Sequence, residues 1–177
     1  AGSMMGSGGM IVMDEDDCMV AMAQFYLGFT VEESCGKCSP CRIGNKRLFE
    51  ILNKITSGKG TEEDLRKLRD LGQVIKDTSL CGLGQTSPNP VLSTLDNFYD
   101  EYVAHVTEQR CPAHQCRDLT VYYINPKKCT GCTLCAHVCP VHAIVGERKA
   151  THIIDPNICI RCGSCLEKCR FGAIYVY

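Results

Sequence analysis

Cys129-Thr-Gly-Cys132-Thr-Leu-Cys135-Ala-His-Val-Cys139-Pro140 returns thirty residues later as Cys159-Ile-Arg-Cys162-Gly-Ser-Cys165-Leu-Glu-Lys-Cys169-Arg170. The correspondence runs past cysteine, because Ile124-Asn125-Pro126 matches Ile154-Asp155-Pro156 and Ala143-Ile144 matches Ala173-Ile174. Self-similarity at a fixed offset means one supersecondary unit built twice. Each copy spaces its cysteines C-x2-C-x2-C-x3-C. Three closely spaced thiolates wrap one corner of an iron–sulfur cube, and the fourth leaves along a short helix to reach a neighbouring cube. This assigns Cys129, Cys132, Cys135 and Cys169 to one [4Fe-4S] cluster, and Cys159, Cys162, Cys165 and Cys139 to a second. A zinc ribbon also uses C-x2-C knuckles, but it would leave the third evenly spaced cysteine of each run without a role.

Around these cysteines, alternating apolar residues predict strands at Leu119 to Ile124, Ile153-Ile154 and Ile174 to Tyr177, with short helices between the third and fourth cysteines. Residues 119–177 resemble a bacterial two-cluster ferredoxin, including Pro140 directly after Cys139; Arg170 in the second copy departs from that pattern. The fold expected is a pseudo-twofold α+β unit whose small core leaves much of its stability to metal ligation. Lys127, Lys128, Arg148, Arg161, Lys168 and Arg170 surround the ligands, mostly as solvated surface, with some able to steer an acidic docking partner.

Upstream, Glu33-Ser-Cys35-Gly-Lys-Cys38-Ser-Pro40-Cys41-Arg-Ile-Gly44 places another three thiolates at two-residue spacing just before an amphipathic segment. Pro40 suits a first helical turn, and Leu48, Ile51, Leu52 and Ile55 recur at helical spacing until Ser57-Gly58. Thr61 with Glu62, Glu63 and Asp64 opens a second helix, and Leu65, Leu68, Leu71, Val74 and Ile75 form its apolar face. Pro90 to about Thr107 predicts a third helix, and Asp17 to Leu27 a weaker one. Cys81, in Leu80-Cys-Gly-Leu-Gly84, completes four ligands with Cys35, Cys38 and Cys41, and its glycines let backbone approach a bulky centre. A lone buried cysteine is the ordinary alternative. The fold class expected is therefore α+β: a helical bundle over residues 15–110 binding one [4Fe-4S] cluster, then the two-cluster ferredoxin-like domain.

The Glu33 to Gly44 motif, with the later Ser79-Leu-Cys-Gly-Leu-Gly84, is similar to the cluster-binding C-terminal bundle of the NADH-binding subunit of respiratory complex I and its soluble relatives. With the appended ferredoxin unit, the architecture most resembles the β subunit of NAD-dependent, electron-bifurcating [FeFe]-hydrogenases. It is also similar to NADP-reducing hydrogenase and NAD-dependent formate dehydrogenase subunits. The resemblance implies an electron relay between a flavin, a hydrogenase catalytic subunit and ferredoxin, with a thioredoxin-like [2Fe-2S] subunit as a further partner. It also implies FMN and NAD(H) sites in a region preceding this bundle, so neither cofactor is expected on this chain alone. Other readings are a stand-alone ferredoxin-type carrier and an interaction module whose metals are structural.

Three cysteines remain: Cys18, Cys111 and Cys116, the last two spaced C-x4-C. With one histidine they make a Cys3His set, suited to a closed tetrahedral zinc site. His105, at the end of the third helix, is preferred to His114, which would close a strained short ring between the two cysteines. The alternative is three buried cysteines and a surface histidine. Zinc there would tie the N-terminal segment to a hinge over residues 111–118.

Fifteen cysteines is an odd count, and their close triplets suit ligation rather than separate disulfides. Reduced thiols point to a reducing compartment, expected to be the cytoplasm. A net charge of −1 with scattered basic residues excludes a phosphate-backbone footprint, so no nucleic acid is expected. No apolar run is long enough to span a bilayer. Residues 1–14, which begin at Ala1 and are glycine-rich, are expected to be a linker or the end of a preceding domain; a phosphate-binding loop is disfavoured because no helix follows the glycines directly. No nucleophile–base pair or HExxH site is present, so no catalytic residue is assigned. Anaerobically purified protein should contain about twelve irons and matching acid-labile sulfide per chain, measured by elemental and sulfide analysis.

Overall fold

The computed structural model describes residues 10–177; residues 1–9 of the expected 1–14 segment lie outside the described residues. Helix α1 (Met19–Glu33) starts directly after Cys18, whose Sγ accepts the Ala21 N–H at 3.4 Å. It extends past the expected Leu27 because no breaker intervenes before Ser34, and Gly28 is used for a close approach of Phe49, 3.1 Å from where a Cβ would sit. A π turn over Pro40–Gly44 leads into α2 (Asn45–Thr56), with Pro40 in the first turn. Helix α3 (Glu62–Thr78) opens on a capping box between Thr61 and Asp64. Two shorter helices follow, α4 (Gly82–Thr86) and α5 (Asn89–Asn97).

The single helix expected from Pro90 to Thr107 is broken. Helix α5 ends at Phe98 (φ −131, ψ 37), α6 (Tyr99–Val103) restarts, and a π turn over Ala104–Glu108 runs to left-handed Gln109. Asn97 and Phe98 are weak helix formers, which makes this the natural place to yield. The break lets both Tyr102 and His105 enter the interior, each 0% exposed. Leu48 and Leu52 of α2, Leu68 and Ile75 of α3, and Val91 and Leu95 of α5 close the core against Val20 and Leu27 of α1. Each such side chain contributes about 1.5–3 kcal/mol on burial.

The second module contains β1 (Tyr122–Ile124), α7 (Leu134–Val138), β2 (Ile144–Val145), β3 (Ile153–Ile154), α8 (Ser164–Lys168) and β4 (Ile174–Val176). β1 pairs antiparallel with β4, and β2 with β3, so each copy pairs only with the other. Ile124 faces Ile174 and Ile154 faces Ile144, two registers related by the same thirty-residue shift. The Asn125 N–H donates to the Ala173 carbonyl at 2.7 Å, and its repeat mate, the Asp155 N–H, to Ala143 at 2.8 Å. Positive φ also recurs in register, at Gly131 and Arg161, Thr133 and Gly163, His142 and Gly172. Non-glycine residues accept this strained conformation at half of these positions, so the path around the cysteines, not residue type, dictates the turn.

The expected strand from Leu119 starts only at Tyr122, because Arg117–Leu119 forms a 3-10 turn that drives Leu119 into the helical core. Leu119, expected at the start of the second domain, thus packs with the helical module instead. None of the helices among the described residues is long and apolar enough to cross a membrane.

Gly58 has φ +73, and a Cβ there would lie 2.8 Å from Leu119 Cδ2. Gly58→Ala should cost about 1–2 kcal/mol from the left-handed backbone alone, read as a lower Tm of the metal-loaded chain. Burial opposes ionisation of Asp64, but Lys54 and Thr61 outweigh it and hold the carboxyl below its usual range. A depressed carboxylate contributes stability above its unfolded pKa, and that stability disappears as pH falls through the folded value. Asp64→Ala should thus cost about 1 kcal/mol at neutral pH, with the gap to wild type closing in acid, as denaturant titration at several pH values would show.

Candidate metal centres

Cys129, Cys132, Cys135 and Cys169 line one small cavity, with Ile124 and Phe171 in its wall. Cys159, Cys162, Cys165 and Cys139 line a second, with Tyr122 and Ile144. Each cavity thus takes three cysteines from one copy and one from the other. Helices α7 and α8 produce the exchange, since Cys135 and Cys165 sit in their first turns while Cys139 and Cys169 follow their last residues in extended conformation. Backbone donors aim at the crossing sulfurs: the Ala143 N–H reaches Cys139 Sγ and the Ala173 N–H reaches Cys169 Sγ, both at 3.3 Å.

These surroundings fit a group that bears charge on sulfur. Burial pushes the Cys165 thiol up to about 11, so a free thiolate is disfavoured there, whereas a coordinating cation removes the proton outright. His152 supplies a second sign. It is 1% exposed, its Nδ1–H donates to the Ala150 carbonyl at 3.1 Å, and its Nε2 has no partner among the described residues. His152 lines the Cys129 cavity, while Tyr122, thirty residues earlier, lines the Cys159 cavity.

In the helical module the structure brings the Cys35–Cys41 loop against the Ser79–Gly84 loop. A Cβ on Gly84 would meet the Ser79 side chain at 2.6 Å and Cys41 Cβ at 3.1 Å. Cys41 is buried, whereas Cys35 and Cys81 are exposed at the rim. Backbone hydrogen bonding, first from Leu80 and then from Cys41, holds the Cys38 thiol below the usual range.

The leftover cysteines converge. The ligand atoms of Cys18, His105, Cys111 and Cys116 lie within 4.8 Å of one another, and all four residues are buried. Cys18 Sγ is 3.8 Å from Cys116 Sγ, and His105 Nε2 is 3.4 Å from Cys18 Sγ and 3.3 Å from Cys116 Sγ. Tetrahedral zinc with its usual bond lengths gives S–S edges of about 3.8 Å and N–S edges of about 3.5 Å, so the set has the size that zinc requires. His105 Nδ1–H donates to the Glu101 carbonyl at 2.7 Å, turning the Nε2 lone pair toward the sulfurs as in ligating histidines. Burial alone would lower the His105 pKa, but the surrounding sulfurs push it up to about 10. His114 takes φ +54 and stands outside the cluster. None of the fifteen cysteines forms a disulfide.

Residues 21–105 match the family described as the NADH-ubiquinone oxidoreductase-F iron-sulfur binding region, and residues 128–174 match the 4Fe-4S dicluster domain. Two separate segments of the chain thus resemble iron–sulfur families, the first in the helical module and the second in the repeat. It is 62% identical over 172 residues to the NADP-reducing hydrogenase subunit HndC of Solidesulfovibrio fructosivorans, covering 97% of this chain and 35% of that protein. It is 41% identical over 112 residues to a component of the NADH-quinone oxidoreductase of Mycobacterium tuberculosis, covering 63% of this chain and 25% of the relative. Among solved structures, an NAD+-reducing [NiFe]-hydrogenase in the H2-reduced state aligns with a TM-score of 0.52 and 31% identity, over 54% of this chain and 16% of that one. The chain therefore spans about a third or less of the length of these relatives.

Spacing alone did not reveal the polar groups behind the cysteines, namely Ser34, Asn45, Ser87 and His152. Their partners are set by packing, as with Ser87 and Asn45, 42 residues apart.

Proposed function

We propose that this chain is the iron–sulfur relay of an NAD(P)H-linked oxidoreductase, with three [4Fe-4S] clusters and one structural zinc. Cys35, Cys38, Cys41 and Cys81 hold the first cluster. Cys129, Cys132, Cys135 and Cys169 hold the second, and Cys159, Cys162, Cys165 and Cys139 the third. The observation that carries this is the pair of cavities with their three-plus-one cysteine sets. When bound, such clusters supply reversible one-electron transfer. The protein's own part is ligation, spacing and exclusion of water: Ile124, Ile144, Ile154 and Ile174 wall the pair, and backbone N–H groups face the crossing sulfurs.

Cys18, His105, Cys111 and Cys116 hold the zinc, fastening the start of α1 and the π turn after α6 to the segment entering the second module. This pin sets how the second module sits on the first. The parent is a hydrogenase β-type subunit, supported by the 62% identity to a subunit of an NADP-reducing hydrogenase across both modules. An electron-bifurcating parent rests on the resemblance of the motifs alone. FMN and NAD(P)H then belong to other parts of the parent, with a hydrogenase catalytic subunit, a [2Fe-2S] subunit and ferredoxin as partners.

A potentiometric titration followed by electron paramagnetic resonance should find three reducible centres; centres that resist reduction would instead support a structural role. Cys169→Ser should leave about two thirds of the iron, with the loss confined to one centre of the ferredoxin pair. One zinc per chain is expected, and His105→Ala should lose it while keeping the iron, with a lower Tm; elemental analysis of both proteins checks this.

A further inference from the structure

Cys41 differs from the other ligands proposed for the helical-module cluster. It is 4% exposed, and two side chains bring hydrogen-bond donors to its sulfur. Ser34 Oγ lies 3.3 Å from Cys41 Sγ and accepts the Gly36 N–H at 3.3 Å, which leaves its own proton for the sulfur. Asn45 Nδ2 donates to Cys41 Sγ at 3.4 Å. Asn45 is wholly buried, a poor place for an amide in a helix unless both of its ends are satisfied. The other end is satisfied: Ser87 Oγ, itself buried, donates to Asn45 Oδ1 at 2.8 Å.

The amide has two orientations. With Oδ1 turned toward Cys41, an oxygen acceptor would face a ligand sulfur that is also an acceptor. In the opposite orientation Ser87 Oγ donates to Oδ1 and leaves the Nδ2 hydrogens for the sulfur. The Gly84 carbonyl, 2.9 Å from Ser87 Oγ, is the hydroxyl's alternative acceptor and the weaker competitor once the sulfur is charged. The chain Ser87, Asn45, Cys41 therefore directs one N–H at one sulfur, from α2 and from the turn after α4.

We infer that Asn45 is a positioning residue, held by Ser87, that raises the reduction potential of the helical-module centre through the Cys41 sulfur. The inference rests on the assignment of Cys35, Cys38, Cys41 and Cys81 to that cluster. Reduction adds negative charge that spreads onto the sulfurs, and a donor aimed at a ligand sulfur stabilises the reduced form more than the oxidised one. Cys35 and Cys81 lie at the exposed rim and receive no side-chain donor among the described residues, so the protein's side-chain control of this centre is concentrated on its buried corner.

The test is an anaerobic potentiometric titration of the full metal-loaded chain, followed by electron paramagnetic resonance. A Cys81→Ser protein identifies which signal belongs to the helical module. Asn45→Leu should make that centre about tenfold harder to reduce, about 59 mV for one electron. Asn45→Asp, nearly isosteric, should shift it further in the same direction by placing a carboxylate against the sulfur. Ser87→Ala should give a smaller shift of the same sign, and the two ferredoxin-module centres should not move. An unchanged midpoint in Asn45→Asp and Ser87→Ala at full iron content would overturn the inference, as would equal shifts of all three centres. Iron content equal to wild type in the Cys81→Ser protein would instead remove the cluster assignment beneath it.

Discussion

The exchange of Cys139 and Cys169 between two copies of one unit is the constraint on which the second module depends. Its apolar core contains little beyond Ile144, Ile154 and Ile174 with Cys135 and Cys165, and its strands are two or three residues long. Such a core cannot offset the chain entropy of nearly sixty residues. The proposed ligation, three thiolates from one copy and one from the other, would tie the copies at two points, and the interlocked strand pairs follow the same symmetry. The recurring left-handed residues belong to this constraint, since a chain that must present three sulfurs to one centre cannot stay extended.

The helical module solves a different problem. It has a conventional leucine and isoleucine core, so its fold stands on packing, and its cysteine loops sit at one edge of that core. One ligand, Cys41, is drawn inside, while Cys35 and Cys81 remain at the surface. The proposed centre would have one face in protein, against the donors on Cys41, and one face toward solvent. The Cys3His cluster lies elsewhere, where the N-terminus of α1, the π turn after α6 and the entry to the second module meet. Glu101 serves this junction twice, its carboxylate accepting the Met19 N–H and its carbonyl orienting His105.

Much of this was legible in the primary structure, and for a definite reason. Two-residue spacing between cysteines limits how far apart their sulfurs can lie, so the triplets announce themselves before any folding is known. The thirty-residue repeat carries the strand registers with it, and Thr61 with Asp64 marks the start of α3 through contacts three residues apart. Helical periodicity was less complete: it ran through Phe98, where the chain leaves the helix and so brings His105 inward.

What the amino-acid order determined by itself were the groups whose partners lie within a turn or two along the chain: cysteine triplets, caps, and the repeat. Tertiary structure alone decided the convergence of Cys18 with His105, Cys111 and Cys116, the buried chain from Ser87 through Asn45 to Cys41, and the pairing of His152 and Tyr122 with different cavities. These contacts join residues up to 98 positions apart, as Cys18 and Cys116 are. Their geometry depends on how helices pack and where they break, and no local spacing rule encodes that.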